Sequence, residues 1–533
     1  MLHHMLPGVL GSRRTLSENH YSGAMPLAST GFPLCLQMLR SRLCHRRTAV
    51  FVAAIATTLC ALAVGPAHAS ATTVVELDRN GHAVLRDDVF LPANLMTPTP
   101  SGSPGTARPA TASGASRRTV RSVLAELARS GQIARPAYLT YSRAFNSALR
   151  EVRSLSATRG DRLDDEVEIL HEMAVNGTLT ASRLPVLFLT LARNAQYWKS
   201  GTLLSYGDRV EFAGSDLVWE YYPGQGIQLQ QLGSFGKAQW FCSAGAAYAA
   251  RCRAMLSELI PLAVRRAGGL TWEYYFNFDG GVPAWTSAMS QGTALQALAD
   301  ASRELDDQSY LSVAHQALPV FAARPPAGVG VKTLLGERFV QYSFASAASE
   351  EVINAFLQSL IGLDDYAQTS GDPMAERLFA AGNAEAQAEL PRFNTGAWSL
   401  YQRGLEDDLA YHQLVTGFLQ QLCSMTKTPI YCSTAGAFQT DLKTPPALRV
   451  VTTHVKTNVA ARVYFTVSKI SRVGITIARG SKTVVLTSAS FSYGQHSFAL
   501  PVLRVGGTYT VELDATDLAG NYSQVSAVLR VSR

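Results

Sequence analysis

The chain has 533 residues, 47% of them apolar, with 47 Lys and Arg against 40 Asp and Glu, a balance that suits globular domains with sizeable cores. Charge is unevenly placed: residues 1–69 hold six Arg and one Glu, residues 70–447 hold 31 basic and 36 acidic groups, and residues 448–533 hold ten and three. No basic stripe is interleaved with aromatics, and the chain lacks a P-loop, a dinucleotide glycine fingerprint and a Gly-x-Ser-x-Gly elbow, so nucleic-acid binding, nucleotide chemistry and serine-hydrolase chemistry are set aside.

Arg40, Arg42, Arg46 and Arg47 precede an apolar run from Ala49 to Val64, which ends near Ala67-His68-Ala69. This is the layout of a secretory signal cleaved after Ala69, making the mature chain secreted or cell-surface. The run's 16 residues are short for a bilayer span, which needs about 20; the alternative is an N-terminal membrane anchor. Met38 sits where a start gives an ordinary leader, and residues 1–37 have no signal character. Residues 70–117 are read as an N-terminal segment and linker, since 97–117 are rich in Pro, Ser, Gly and Thr and lack periodicity.

From about 118 the pattern turns helical, with segments expected near 118–130, 136–157, 162–175, 181–197, 237–267, 286–305, 309–323, 350–370, 373–390 and 407–423. Ile353, Phe356, Leu357, Leu360 and Ile361 place one apolar stripe against a core. Such a run of helical hairpins over 118–440 predicts a mainly α, (α/α) toroid-type domain. Residues 201–235 interrupt it with a small β excursion, in which Gly207-Asp208 and Gly214-Ser215 read as turns. Its Trp219, Tyr221 and Tyr222 either meet a sugar at the mouth of the ring or pack a small β core.

Four of the seven cysteines lie beyond the leader: Cys242, Cys252, Cys423 and Cys432. In an exported chain they suggest disulfides. Pro429 favours a turn between Cys423 and Cys432, which predicts that bridge. Along one unbroken helix Cys242 and Cys252 stand about 15 Å apart, so that pair needs a break near Gly245 or remains two buried thiols. Residues 448–533 change period: RVVTTHV, ARVYFTVS, VGITIA, TVVLTSAS, HSFALPVL, TYTVELDAT and SAVLRV predict about seven strands of a C-terminal immunoglobulin-like β-sandwich. Thr444-Pro445-Pro446 forms a stiff connection before this basic, accessory module, which could favour an anionic wall polymer.

The densest information lies in VINAFLQSLIGLDDYAQTSGD, LPRFNTGAWSLY and LAYH between Val352 and His412. With Tyr-Tyr-Pro-Gly-Gln-Gly at 221–226, the run Pro283 to Gly292, Asn354, Ile361-Gly362-Leu363 and Thr395-Gly396, their order resembles the C-terminal catalytic domain of the D-glucuronyl C5-epimerases. These enzymes invert carbon 5 of a hexuronic acid within a polysaccharide. The resemblance implies catalytic roles for Tyr401 and Tyr411, with His412 following and Tyr342 as a further acid/base group. It also implies sugar contacts from Tyr222, Trp285, Gln291, Asn354 and Trp398. Two departures stand out: Gln341 precedes Tyr342 where the family has Glu, and Ala355 follows Asn354 where the family has Gly. Glu350 and Glu351 are the nearby carboxylates that could replace the missing one.

Read without the resemblance, Tyr411 belongs to an apolar helix face with Leu414 and Phe418, His412 to a core, and Trp285 and Gln291 to a helix start. Tyr401, on a loop after Gly396, is not explained by helix packing. The implied reaction removes a proton α to a carboxylate and returns one to the opposite face, which needs two acid/base groups and no cofactor or metal. The expected partner is a uronic-acid-containing polysaccharide. A polysaccharide lyase, which expels the 4-linked sugar after the same proton abstraction, and a non-catalytic carbohydrate-binding protein remain the alternatives. His171-Glu172 lacks the second His of a zinc-protease helix, and Asp306-Asp307, Asp364-Asp365 and Asp407-Asp408 read as solvated helix ends or caps.

Overall fold

A computed structural model describes residues 72–91, 118–344 and 349–533. The leader, its cleavage point, Met38 and the 97–117 linker lie outside the described residues. Among the described residues no helix is long and apolar enough to cross a membrane.

Part of the segment grouped with the linker is a folded hairpin. Strands β1 (Thr72–Leu77) and β2 (Ala83–Asp88) pair antiparallel. The Asp78 carboxylate accepts from the Asn80 and His82 amides, both at 2.8 Å, and Gly81 takes the positive φ that the turn requires. Strands β3 (Arg209–Phe212), β4 (Trp219–Tyr222) and β5 (Gly226–Leu229) form the excursion, and β1 pairs parallel to β3, giving one sheet of order β2-β1-β3-β4-β5.

The first helices are α1 (Val120–Arg129), α2 (Arg135–Ser154), α3 (Ala157–Val175) and α4 (Leu184–Trp198). Thr119 and Ser122 close a reciprocal capping box at the start of α1. The expected helix over 237–267 is two helices, α5 (Gln231–Ser243) and α6 (Ala249–Leu259), because the chain breaks at Gly245 (φ 87°). That break lets Cys242 and Cys252 join in a disulfide with Cα atoms 5.0 Å apart.

A small ribbon, β6 (Val264–Arg266) and β7 (Gly269–Thr271), leads to α7 (Ala288–Glu304), α8 (Ser309–Ala317) and the single turn α9 (Pro319–Ala322). The ribbon β8 (Gly330–Lys332) and β9 (Glu337–Phe339) precedes α10 (Ile353–Ser370) and α11 (Pro373–Glu389). The short pair β10 (Leu400–Gln402) and β11 (Leu405–Glu406) then leads into α12 (Leu409–Thr426) and α13 (Pro429–Asp441). Helix α13 was not expected: Pro429 occupies its first turn, where a missing N–H costs nothing, instead of making a free turn. The Cys423–Cys432 disulfide ties α12 to α13.

Helices α5, α7, α10 and α12 pack in a row, and α6, α8, α11 and α13 each pack on their sequence predecessor. Helices α7 and α10 are buried nearly all round; in α7 every residue from Ala288 to Ser302 is buried. A Cβ on Gly362 of α10 would run into the backbone carbonyl of Gly292 on α7, so these two glycines allow the close approach. The described residues from 118 to 441 are thus mainly helical, with one continuous apolar core that also takes in the five-stranded sheet.

Eight strands follow: β12 (Leu448–Val450), β13 (His454–Lys456), β14 (Ala461–Val467), β15 (Ser471–Arg479), β16 (Lys482–Phe491), β17 (Gly494–Leu500), β18 (Gly507–Asp517) and β19 (Tyr522–Ser532). They form sheets of order β12-β14-β17 and β13-β19-β18-β15-β16. Alternate residues such as Val463, Phe465, Ile475, Ile477, Val511 and Leu513 fill one core between the two sheets. The segment RVVTTHV, expected as one strand, divides between them as β12 and β13.

Candidate active site

The starts of α5, α7, α10 and α12 come together. Leu232, Met289, Val352, Ala355 and Leu414 from these starts form a separate apolar cluster with Tyr401 and Tyr411. Four helix N-termini therefore point their partial positive charge toward one place. Tyr401 is held there by β10, Tyr411 by the first turn of α12, and Tyr342 by the chain just after β9. The rings of Tyr401 and Tyr411 meet edge to face at 5.1 Å, and the Tyr342 side chain lies within electrostatic reach of both. Tyr401 and Tyr411 thus share one site, with Tyr342 from an earlier part of the chain close by.

Burial holds all three hydroxyls protonated, well above the usual tyrosine range. Carboxylates reinforce this: Glu350, Asp407 and Asp279 act on Tyr401, and Asp408, Asp407 and Glu220 on Tyr411. Glu220, on β4, is paired with Arg209 at 2.8 Å and brings the five-stranded sheet to the site. Burial and Asp279 push the Glu350 carboxyl up. Glu351 is instead held by Arg338, at 3.4 Å, and Arg403.

Aromatic rings form a wall beneath Tyr342. Trp285 stacks on Tyr274 at 4.3 Å, meets Tyr342 edge to face at 5.6 Å, and donates its indole N–H to the Phe276 carbonyl. Tyr222 stacks on Phe276 at 4.3 Å and accepts from Gln230. Both were expected as sugar contacts; both are buried, as Tyr342 and Tyr401 are, and both pack within the wall. Phe344 stacks on Tyr342 at 5.2 Å and also lines a pocket of about 630 Å³ with Arg183, Arg266, Gly281, Pro283 and Ser343. The two arginines converge on buried Glu273, at 2.7 and 2.6 Å.

Asn354 stands in the first turn of α10, 1% exposed, and neither atom of its side-chain amide has a hydrogen-bond partner.

Three expected site residues require correction. Gln291 is fully buried and its amide donates to the Trp272 carbonyl and Thr286 hydroxyl, so it fixes the start of α7 and does not reach a sugar. His412 is 0% exposed and both ring nitrogens are engaged: Nδ1 with the Ser399 hydroxyl at 2.7 Å, and Nε2 with the Phe438 carbonyl at 3.0 Å. Trp398 lies flat on His412 at 3.7 Å and donates to the Asp407 carbonyl. Successive helical residues point about 100° apart, so Tyr411 faces the site while His412 faces α13. Asp407, expected as a solvated helix end, is buried, whereas Asp408 does cap α12 through the Tyr411 amide at 2.8 Å. Sequence reading missed Glu220 and Asp279. Glu220 was legible only as one residue of a short β run, and Asp279 as part of a Gly-rich turn.

Residues 268–440 match the family described as D-glucuronyl C5-epimerase C-terminus, the family that the motifs between Pro283 and His412 resemble. The D-glucuronyl C5-epimerase of Caenorhabditis elegans is 28% identical over 173 residues, covering 29% of this chain and 28% of the relative. An uncharacterised protein of Methanocaldococcus jannaschii is 27% identical over 137 residues, covering 25% of this chain and 44% of the relative. The chain thus spans less than half the length of either curated relative. Among solved structures, a sugar epimerase from a ruminal bacterium aligns over 40% of this chain and 59% of its own, with 12% identity and a TM-score of 0.29.

Proposed function

We propose that the protein is an exported uronyl C5-epimerase-like enzyme that inverts carbon 5 of hexuronic acid residues in a polysaccharide. The observation carrying this reading is the meeting of Tyr401 and Tyr411 at the converging helix starts, with Tyr342 within electrostatic reach of both, inside the segment that matches the family. The helix array is read as an α/α toroid with this site at one mouth and the C-terminal sandwich as an immunoglobulin-like accessory module. The positive helix ends suit the substrate carboxylate, whose charge grows as the proton leaves C5. Asn354 supplies free hydrogen-bonding atoms to the same sugar.

In this mechanism Tyr401, protonated at rest, gives up its own proton and then takes the C5 proton. Tyr411 gives its proton to the opposite face, and solvent resets the pair. Glu350, in place of the glutamate missing before Tyr342, accepts the proton that ionises Tyr401. No sugar bond is broken and no electron is gained or lost.

Incubation with a uronate polymer in deuterated water is expected to place deuterium at carbon 5 without shortening the chain. An unsaturated product absorbing in the near ultraviolet identifies a lyase instead, and no change in any uronate polymer identifies a binding protein. Tyr401→Phe and Tyr411→Phe are expected each to lower exchange by at least about 10²-fold while the ring packing survives. Full exchange in both variants removes these tyrosines from the mechanism.

A further inference from the structure

The C-terminal sandwich is fastened directly behind the tyrosine pair. Glu406, on β11, pairs with Leu400 on the strand that carries Tyr401. Its two carboxylate oxygens accept backbone N–H groups from the sandwich, Ile470 at 2.8 Å and Tyr493 at 2.7 Å. A carboxylate held by two backbone donors is a charge-assisted anchor, about twice as strong as a neutral pair. Next to it, Lys469 is 1% exposed. Its ammonium is paired with Asp517 at 2.6 Å and donates to the Asp441 and Thr444 carbonyls at the end of α13. The same ammonium stands 5.1 Å over the ring of Trp398, which is stacked on His412, the neighbour of Tyr411.

The two attachments thus grip both sides of the segment from Trp398 to His412. Without them, β10 and β11 are a pair of two to three residues with a shifted register, too short to fix a side chain alone.

We propose that Glu406 is a positioning residue for the tyrosine pair, and that the sandwich holds Tyr401 and Tyr411 in working register by gripping this carboxylate. The kinetic part of the proposal rests on the epimerase reading; the structural part does not. In the full-length protein, Glu406→Ala is expected to speed amide hydrogen exchange about tenfold across residues 398–412 while residues 353–370 stay protected. Glu406→Gln, which keeps one carbonyl acceptor and the side-chain shape, is expected to fall between the two and to decide the matter if Glu406→Ala unfolds. On a uronate polymer, kcat of Glu406→Ala is expected to fall about tenfold with KM within about twofold, because the geometry of the acid/base pair is lost and the polymer contacts are not.

Unchanged exchange at 398–412 in both variants overturns the proposal, as does a rise in KM with kcat intact, which assigns the sandwich to polymer binding. If the wild type transforms no uronate polymer, the epimerase reading falls, and the exchange comparison alone decides whether the sandwich orders the tyrosine segment.

Discussion

Asp407 and His412 are two buried titratable groups that share the Ser399 hydroxyl, which lies 2.5 Å from the Asp407 carboxylate and 2.7 Å from His412 Nδ1. Burial pushes Asp407 up from 3.8 to about 7 and His412 down from 6.5 to about 4. Their effects on stability oppose each other. The raised Asp407 contributes stability below about pH 4 that is lost as pH rises to about 7. The depressed His412 contributes stability above about pH 6.5 that is lost as pH falls toward 4. Relative to wild type, Asp407→Asn is therefore expected to gain stability between pH 4.5 and 7.5, and His412→Gln to lose it over the same interval, each by roughly 2 kcal/mol. Urea unfolding at the two pH values measures both slopes; slopes of the same sign for the two variants contradict the assignment. Motif order drew attention to Tyr401 and Tyr411, which the fold brings into ring contact. His412 was misplaced because adjacency in sequence says nothing about the 100° between successive helical side chains, and Trp398 because nothing local shows that its indole is taken by the Asp407 carbonyl.

The elements depend on partners that local pattern does not reveal. The helices of the α5, α7, α10 and α12 row were readable from apolar spacing, since each buries an apolar face, though the boundary of α5 was hidden by a break that only Gly245 signals. The N-terminal hairpin was not read: its Asn80-Gly81 turn was visible, but its parallel partner β3 begins more than 100 residues later. Its role is set by one buried charge. Lys237 on α5 is 0% exposed and is paired with Asp88 of the hairpin at 2.7 Å and Glu211 of β3 at 2.6 Å. Removing one partner of such a group leaves charge without full compensation in a dry interior. Asp88→Ala is therefore expected to destabilise the protein by about 3 kcal/mol, read as a lowered denaturant midpoint with an unchanged slope. A chain begun at residue 118 loses the same partner together with β1 and β2, and is expected to be less stable still.

At the scale of the whole molecule, two separate apolar cores are joined by polar contacts that the sequence presents as ordinary charges. The alternating strands and the Pro445-Pro446 connection made the sandwich legible as a unit. Nothing local marks Glu406 and Lys469 as the groups that dock it, because a charge acquires that role only from donors and acceptors brought by another element. The cores differ in what a cut at residue 447 removes from them. The helical part keeps every residue of its own core and loses the sandwich amides on Glu406, the ammonium on the α13 carbonyls and the cover over Trp398. Water can solvate Glu406 and the carbonyls once they are exposed, so most of the desolvation cost is recovered and only the net worth of these contacts is lost. A chain ending at 447 is accordingly expected to keep its helical circular dichroism and a cooperative melt, with Tm lower by roughly 5–10 °C. An unchanged Tm shows that the docking adds nothing to the helical part, and loss of the cooperative transition shows that the helical part cannot fold without the sandwich.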